Sequence, residues 1–293
     1  MRCFFIQNSY FLSLVTFVTE ITGKMWYYYD AGDKNLVFYF RLMKILIKTA
    51  NAYICVHDRR FIMVKEVNIR KVAVIGCGFV GSTSAYTLMQ SSLFSEMVLI
   101  DADRARAEGE ALDIKHGLPF TKPMNIYAGD YSDIADAAII VITAGAAQKP
   151  GETRLDLVKK NTAIMKSIIG EIKKQNCQGI LLIVSNPVDV LTNVALKASG
   201  FPENRVIGSG TVLDSARLKY RLGEHLSVDS RSVHAFIVGE HGDSEIAVWS
   251  SANVSGIAVD DFCEMRGHIN HDKNMRAIAE QVKNSAYEII EKK

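Results

Sequence analysis

The sequence predicts an α/β protein in which a doubly wound parallel sheet is followed by a smaller α+β region. Three observations support this. Short apolar runs rich in β-branched residues recur along the chain, longer helical patterns separate them, and a glycine-rich turn follows the first run. Apolar runs without polar alternation are typical of strands covered on both faces. Their alternation with helices is typical of a doubly wound sheet.

The predicted elements follow one another at short intervals. Strands are expected at residues 71–75, 97–100, 138–143 and 179–185. The helical patterns cover residues 80–90, 105–116, 155–174 and 187–199. Beyond residue 206 the order changes, with a helix at 213–224, a strand at 232–238 and a mostly polar helix at 273–292. This second region is expected to pack beside the sheet and to carry groups that face a substrate.

Bulk composition narrows the classes of function. The chain has 293 residues, of which 48% are hydrophobic and 23% charged, and its net charge is +2. A charge this close to neutral argues against a nucleic-acid partner, since such sites need an excess of basic residues. The five cysteines are scattered and form no C-x-x-C pair, so neither a disulfide framework nor a metal site is predicted. A reducing compartment, the cytoplasm, is therefore expected.

The first 62 residues have a different composition, with seven of the thirteen Phe and six of the eleven Tyr but only two of the twenty Gly. A signal peptide is disfavoured because polar residues interrupt the first apolar run and no small-residue cleavage site follows. A transmembrane helix is disfavoured because residues 36–56 contain Arg41, Lys44 and Lys48, each costly in a bilayer. The favoured interpretation of residues 1–62 is a leader, disordered or not native, with Met63 as the natural start. Membrane association is the main alternative.

A G-x-G-x-x-G pattern occupies residues 76–81, directly after the first predicted strand of the sheet and at the start of a helix. Gly76 is expected to form the tight turn, Gly78 to let the backbone approach a pyrophosphate, and Gly81 to allow close packing of helix on strand. The helix N-terminus would present unpaired N–H groups and a partial positive charge to the phosphates. In this context the pattern predicts a Rossmann dinucleotide-binding site.

Asp101 lies twenty residues beyond that pattern, at the end of the second predicted strand. A carboxylate there accepts hydrogen bonds from a ribose 2′-hydroxyl and repels a 2′-phosphate, which favours NAD over NADP. Arg104 and Arg106 lie nearby in the sequence and leave NADP as the alternative. Cys77, inside the pattern, is interpreted as a small space-filling residue.

His241, in the segment GEHGDS at 239–244, is the best candidate for moving a proton. Imidazole titrates near neutral pH and needs an anionic partner to fix its tautomer. Asp214 and Arg217 stand three apart on a predicted helix, where they form either an exposed ion pair or part of a carboxylate-binding site. Residues 148–154, QKPGETR, predict a mobile loop able to act as a lid and carrying Arg154.

Four segments give the chain a family resemblance: ITAGAAQKPGETRLDLVKKN, IVSNPVDVLT, RVIGSGTVLDSARLKYRLGEHL and GEHGDSEIAVWS. In this order they closely resemble the L-lactate dehydrogenases, especially those of bacteria. The resemblance runs almost without gaps from residue 67 to residue 293. It implies an enzyme that transfers hydride between (S)-lactate and pyruvate with NAD as the cofactor.

The resemblance also implies roles for individual residues. His241 would give and take the proton, and Asp214 would orient it. Arg217 would grip the substrate carboxylate, while Arg154 would close over the site and polarise the reacting carbonyl. Asn186 would hydrogen-bond the substrate and help to seat the nicotinamide, and its peptide bond to the following proline would be cis.

Gln148 is expected to select the substrate. The malate dehydrogenases, a sister family, carry arginine there to pair with a second carboxylate, whereas a neutral amide leaves that group unpaired in a dry site. Lactate and pyruvate are therefore favoured. A dehydrogenase for bulkier 2-hydroxy acids and a non-catalytic NAD-binding relic are the alternatives. The resemblance places further residues along the cofactor: Val80, Asp101, Arg106, Tyr131, Gly145, Ala146 and Ser167.

Regulation and domain extent also follow from the resemblance. Lys219 and His234 match positions where bacterial relatives bind fructose 1,6-bisphosphate between subunits, and the family is usually tetrameric. Residues 63–210 are expected to form the NAD-binding domain and residues 211–293 the substrate domain. Complete relatives continue with further strands and a long helix. The substrate domain is therefore expected to be incomplete, and the activity of this chain low or absent.

Overall fold

The computed structural model describes residues 52–57, 60–147, 151, 153–268 and 271–292. The chain divides into two units, residues 1–63 and 64–293. Strands β1 (Ala52–His57) and β2 (Arg60–Lys65) form a two-stranded sheet that the sequence analysis did not predict. Most of the leader lies outside the described residues, so its interpretation remains a prediction. Among the described residues, no helix is long and apolar enough to cross a membrane.

A six-stranded parallel sheet forms the centre of the second unit. Its strands are β3 (Asn68–Ile75), β4 (Glu96–Ile100), β5 (Asn125–Ala128), β6 (Ala137–Ile142), β7 (Ile180–Ile183) and β8 (Val206–Gly208). They lie in the order β5-β4-β3-β6-β7-β8, and each neighbouring pair is parallel. Successive strands are added on one side of β3 as far as β5, and on its other side from β6 onward. The switch point therefore lies between β3 and β6. Such a switch point opens a crevice at the carboxyl ends of the strands, where ligands bind in this class of fold.

Four helices cover the sheet: α1 (Phe79–Ser91), α2 (Arg104–Lys115), α3 (Arg154–Lys174) and α4 (Val188–Ser199). The side chains of β3 alternate between the two faces, as a strand requires. Val72 and Val74 join a hydrophobic cluster that includes Met89 of α1. Ala73 and Ile75 join another that includes residues of α3 and α4. The predicted doubly wound α/β fold is therefore confirmed.

A third hydrophobic cluster holds the region after residue 211 together. It contains the apolar faces of α5 (Val212–Leu226), α6 (Val259–Met265) and α7 (His271–Glu291), with short strands between them. These strands are β9 (Val233–His234), β10 (Ile237–Val238), β11 (Ile246–Ala247), β12 (Asn253–Val254) and β13 (Ile257–Ala258). The sequence analysis missed α6 and the last three strands.

The single strand predicted at residues 232–238 was wrong. β9 pairs with β12, whereas β10 pairs with β11 in a different sheet. Val233, Ala235 and Ile237 are all buried, so the period of two is real. On its other edge, β10 is joined to the start of α5: the N–H of Ile237 donates to Ser215 Oγ at 2.9 Å, and its carbonyl accepts from Thr211 Oγ1 at 2.7 Å.

Candidate active site

The glycine turn lies at the switch point, between β3 and α1. Gly76 has φ +102°, and a Cβ atom there would lie 2.5 Å from the backbone nitrogen of Ala144. A Cβ atom on Gly81 would lie 1.7 Å from the Gly76 carbonyl oxygen. Beyond its own turn, no described residue has an atom within 4 Å of the Cβ position of Gly78. Two of the three glycines are thus required by the fold itself, while the third borders open space where a ligand fits.

Asp101 ties the glycine turn to the end of β4. One carboxylate oxygen accepts from the backbone N–H of Cys77 at 2.6 Å, and the other from that of Asp103 at 2.9 Å. Burial, followed by the charge of Asp101, raises the pKa of the Cys77 thiol to about 12. A thiol that stays protonated is a poor nucleophile, which fits a space-filling residue.

The two arginines beside Asp101 are placed differently. Arg104 donates to Glu108 and Asp130, both at 2.9 Å, and also to the carbonyls of Ala128 and Gly129. Its guanidinium is therefore held away from the glycine turn. Arg106 is exposed, and its side chain forms no ion pair within the described part of the chain. Arg106 is the freer of the two to meet a cofactor.

The other predicted cofactor-lining positions differ in exposure and in their place in the fold. Val80 is 57% exposed at the start of α1. Gly145 and Ala146 follow β6, and Tyr131 is half-buried in the turn after β5. Ser167 is exposed in the middle of α3, and nothing in the described residues brings its side chain to the glycine turn.

The sequence analysis missed Asn161, a buried amide that joins the two sides of the crevice. Its Oδ1 accepts from the backbone N–H of Ala146 at 2.8 Å, and its Nδ2 donates to the carbonyl of Asn186 at 2.9 Å. The peptide bond from Asn186 to Pro187 is cis. A buried polar residue on the apolar face of a predicted helix was the signal that could have drawn attention to it.

The second half of the site is a pair of hydrogen-bonded side chains with an arginine behind it. His241 Nδ1 lies 2.5 Å from Asp214 Oδ2. Arg217 Nη1 donates to the other oxygen, Oδ1, at 3.0 Å. Asp214 is only 2% exposed, so both contacts form in a largely water-free place. With Nδ1 engaged, the free nitrogen of the imidazole ring is Nε2.

Two acidic residues that the sequence analysis missed support this pair. Asp189 of α4 accepts from the backbone N–H of His241 at 2.9 Å. Glu245 is 4% exposed, and its Oε1 has no hydrogen-bond partner in the described residues. Burial, followed by the negative charge of Asp214, raises the pKa of Glu245 to about 6. Ligand-type atoms of Asp214, His241 and Glu245 lie within 4.8 Å of one another, but Arg217 already supplies a positive charge there.

The remaining predicted residues lie in other segments or outside the described part. Gln148 lies outside the described residues. Arg154 is the first residue of α3, whose N-cap is Thr153. Lys219 Nζ lies 5.8 Å from the centre of the Phe236 ring. His234 is exposed on β9.

Comparison with known proteins agrees with this geometry. Residues 70–208 match the family model of the lactate/malate dehydrogenase NAD binding domain, and residues 211–293 match that of the alpha/beta C-terminal domain. An L-lactate dehydrogenase of Acetivibrio thermocellus is 58% identical over 77% of this chain and 71% of its own length. One of Thermoanaerobacterium saccharolyticum is 56% identical over 76% of this chain and 72% of its own length.

Solved structures give the same result. A lactate dehydrogenase from a Medee basin deep-sea metagenome library aligns with a TM-score of 0.74 and 48% identity, over 76% of this chain and 71% of that one. The minor L-lactate dehydrogenase of Enterococcus mundtii in its ligand-bound form aligns with a TM-score of 0.73 and 43% identity, over the same shares. With both domain models matched and close relatives over three quarters of its length, the chain belongs to the lactate/malate dehydrogenase family.

Proposed function

We propose that this protein interconverts (S)-lactate and pyruvate with NAD: (S)-lactate + NAD⁺ ⇌ pyruvate + NADH + H⁺. The observation that carries the proposal is the contact of His241 Nδ1 with Asp214 Oδ2 at 2.5 Å, with Arg217 on the other carboxylate oxygen. It lies in a chain whose relatives are L-lactate dehydrogenases. Reduction of a small 2-oxo acid requires two things from the protein: a group that transfers a proton and an arginine that binds the carboxylate.

The cofactor fits the residues at the switch point. The glycine turn leaves the space above Gly78 open, and the N-terminus of α1 offers N–H groups to a pyrophosphate. Asp101 would accept hydrogen bonds from the ribose hydroxyls. The residues that would line the rest of the cofactor are Arg106, Tyr131, Gly145 and Ala146. The bound nicotinamide supplies the hydride. Because Arg104 is already paired with two carboxylates, the basic charge that would favour a 2′-phosphate is reduced, which supports NAD over NADP.

Proton transfer is assigned to His241. Asp214 accepts a hydrogen bond from Nδ1–H, so the second proton of the imidazolium sits on Nε2, the ring nitrogen left to reach a substrate. In the reductive direction Nε2 gives its proton to the carbonyl oxygen of pyruvate. In the oxidative direction the neutral ring takes the hydroxyl proton of lactate. Asp214 steadies the positive charge in both directions.

Substrate selection is assigned to residues from three segments. Arg217 has further N–H donors beyond the one that Asp214 accepts, and two parallel donors match a carboxylate. Arg154 would polarise the carbonyl, and Asn186 would hydrogen-bond the substrate. Gln148 would exclude a second carboxylate, because an unpaired charge in a dry site costs several kcal/mol.

Finer aspects are proposed on the family resemblance. They are a homotetrameric assembly, a cytoplasmic location, and domain limits at residues 63–210 and 211–293. Activation by fructose 1,6-bisphosphate would act through Lys219 and His234, where the lysine supplies a positive charge but lacks the forked donors of an arginine. Unchanged pyruvate kinetics across a millimolar titration of the sugar phosphate would rule it out.

The proposal is tested by following NADH absorbance at 340 nm, first with pyruvate and then with oxaloacetate. Both the full chain and a version beginning at Met63 are assayed. Turnover with pyruvate, even if slow, is expected to exceed turnover with oxaloacetate and to be absent in His241→Ala. A series of longer 2-oxo acids separates the proposal from a preference for bulkier substrates. NADH fluorescence is measured alongside, and cofactor binding without any turnover would contradict the proposed activity of this chain.

A further inference from the structure

Glu245 occupies a place that its chemistry does not favour. It is 4% exposed, whereas the next residue, Ile246, is 63% exposed. The chain therefore turns an acid inward and an isoleucine outward at the start of β11, the reverse of what the burial free energies of the two side chains favour. A buried carboxyl group that contributes nothing else to the molecule would normally be replaced by an apolar residue of similar volume at no cost.

The surroundings of Glu245 point to one interaction. Its carboxyl group lies with Asp214 and His241 in one cluster, with ligand-type atoms within 4.8 Å of one another. Its Oε1 has no hydrogen-bond partner among the described residues, whereas the carboxyl group does form a hydrogen bond with Asp214. Glu245 is therefore in direct contact with the proton-transfer pair through Asp214.

We propose that Glu245 is a positioning residue of the Asp214–His241 pair: its buried carboxylate adds a second negative charge beside Asp214 and so sets the pH at which His241 gains or loses its proton. This inference rests on the proposed function, in which His241 moves the proton. Glu245 acts through its two neighbours and need not touch the substrate.

Charged groups reach this cluster from three helices. Arg217 of α5 pairs with Asp214, and Asp189 of α4 accepts from the backbone N–H of His241. The positive charges that act on Glu245 are His241 and then Lys283 of α7, and both lower the pKa that burial raises. With a pKa of about 6, the Glu245 carboxyl group is mostly ionised at neutral pH. At that pH it favours the imidazolium form of His241.

The test is the ring titration of His241, followed by NMR of the histidine-labelled full chain between pH 4.5 and 9. The signal is assigned by its absence in His241→Gln. Glu245→Gln removes the charge at nearly constant volume. We expect the His241 titration midpoint to fall by about one pH unit, a tenfold change in proton affinity, since an opposite charge at this distance shifts a titration by about 1–3 units.

Two further variants keep the test decisive. Glu245→Met also removes the charge and replaces an unpaired polar atom by an apolar one, so it serves if Glu245→Gln lacks the circular dichroism of the folded chain. Glu245→Asp keeps the charge, and its midpoint should lie nearer to the unsubstituted protein than that of Glu245→Gln. A fall in Glu245→Asp as large as in Glu245→Gln would assign the effect to packing and overturn the proposal.

The matched control is Glu240→Gln. Glu240 stands one residue before His241 but is exposed, with its carboxylate accepting from Ser244 Oγ at 2.8 Å. The same change in charge at this solvated position should move the His241 midpoint by less than about 0.3 units. Equal shifts in Glu240→Gln and Glu245→Gln, or no shift in Glu245→Gln, would overturn the proposal.

The titration separates this inference from the proposed function, because it needs no turnover. Where the chain reduces pyruvate, a second readout is available. Reduction needs the imidazolium form, so the alkaline limb of its pH profile should move down by about one unit in Glu245→Gln. A chain without activity but with the expected NMR shift would contradict the proposed function and leave the role of Glu245 intact.

Discussion

The cofactor half and the proton-transfer half of the site are built in different ways. At the switch point the surface is formed by backbone that close packing fixes: Gly76 and Gly81 lie where any side chain would collide with the neighbouring chain. Around His241 the surface is formed by charged side chains from α4, α5 and the loop between β10 and β11. The first half depends on shape, and the second depends on the balance of charge.

This difference has a consequence for the chain without its ligands. The glycine turn is already open to a ligand at Gly78. Arg217, by contrast, donates to Asp214 at 3.0 Å, so the substrate carboxylate must share that guanidinium with the carboxylate that orients His241. The cofactor half should therefore bind independently, whereas substrate binding and the protonation of His241 should be coupled.

The largest effect is expected from substituting alanine at two glycines of the same turn. Gly81→Ala places a methyl group 1.7 Å from the Gly76 carbonyl oxygen and should lower the free energy of unfolding by about 3 kcal/mol or more. Gly78→Ala meets no atom within 4 Å, so it should stay folded, losing at most about 1 kcal/mol as a helix N-cap. Its NADH affinity should still fall at least about tenfold, because the methyl group occupies the approach of the pyrophosphate. Urea denaturation and NADH fluorescence measure the two effects, and equal destabilisation by the two variants would refute this division of roles.

A second prediction concerns the opposite end of the sheet, where charge is purely structural. Lys71 is 5% exposed and pairs with Glu96 and Asp136, both at 2.9 Å. Burial opposes its charge, but the two carboxylates outweigh burial and raise its pKa. Lys71→Met should cost about 2–3 kcal/mol, since it leaves two acids without their partner. Arg231→Met, which removes the exposed ion pair with Asp229, should cause no measurable change in the same urea denaturation curves.

The pH dependence of that cluster follows from the direction of its shifts. A raised native pKa means that the contribution of Lys71 is complete below the ordinary lysine pKa of 10.5 and is lost as the pH rises through the native value. Burial, followed by the hydrogen bond to Glu96, raises the pKa of Tyr127 to about 12. Because the unfolded chain loses this proton at lower pH than the folded chain, Tyr127 also lowers the free energy of unfolding as the pH rises from 10 to 12. Urea denaturation should show stability falling over this range, and a smaller fall in Lys71→Met. A curve unchanged by the substitution would contradict this origin.

The sheet was largely predictable because its signal is local. The apolar runs that form β3, β4, β6 and β7 are separated from one another by helical patterns. The observed ends of these four strands differ from the predicted ends by at most three residues. β5 (NIYA) and β8 (VIG) were missed because each holds too few consecutive apolar residues, whereas β7, which is as short as β5, lies in the apolar run ILLIV. β9 and β10 were joined in the prediction because their burial keeps one period, while their backbone partners are two different strands, β12 and β11, that no local pattern reveals.

The site was predictable to the extent that its residues carry a motif. His241, Asp214 and the glycines were found in this way, and the structure brings His241 and Asp214 together. Glu245 was missed because no pattern around it in the sequence indicates its burial, and Asn161 because its place on the apolar face of a predicted helix was overlooked. Their positions became informative only when the fold placed each of them out of contact with water.

A smaller effect is expected at the join between the two halves. Asn161→Ala leaves the N–H of Ala146 and the carbonyl of Asn186 without their shared partner. This should cost about 2 kcal/mol of unfolding free energy and weaken NADH binding several-fold. Asn284→Ala is the control, because Asn284 is exposed on α7 and donates only to the Glu280 carbonyl of its own helix. The idea that Asn161 links the halves fails if both variants bind NADH as tightly as the unsubstituted chain.

The smallest effect is expected for the choice between the two nicotinamide cofactors. Asp101→Asn removes the charge that repels a 2′-phosphate, with Arg106 exposed nearby and Arg104 still paired. The ratio of NADPH to NADH affinity should rise about tenfold, which corresponds to about 1.4 kcal/mol. The ratio is the quantity to measure, because loss of a backbone hydrogen bond from Cys77 weakens both cofactors alike. Asp103→Asn changes the charge equally, two residues away at the N-cap of α2, and should alter the ratio less than about twofold. If it alters the ratio as much as Asp101→Asn does, selection depends on the general field of the loop. In that case the cofactor half, like the half around His241, would be governed by charge as well as by shape.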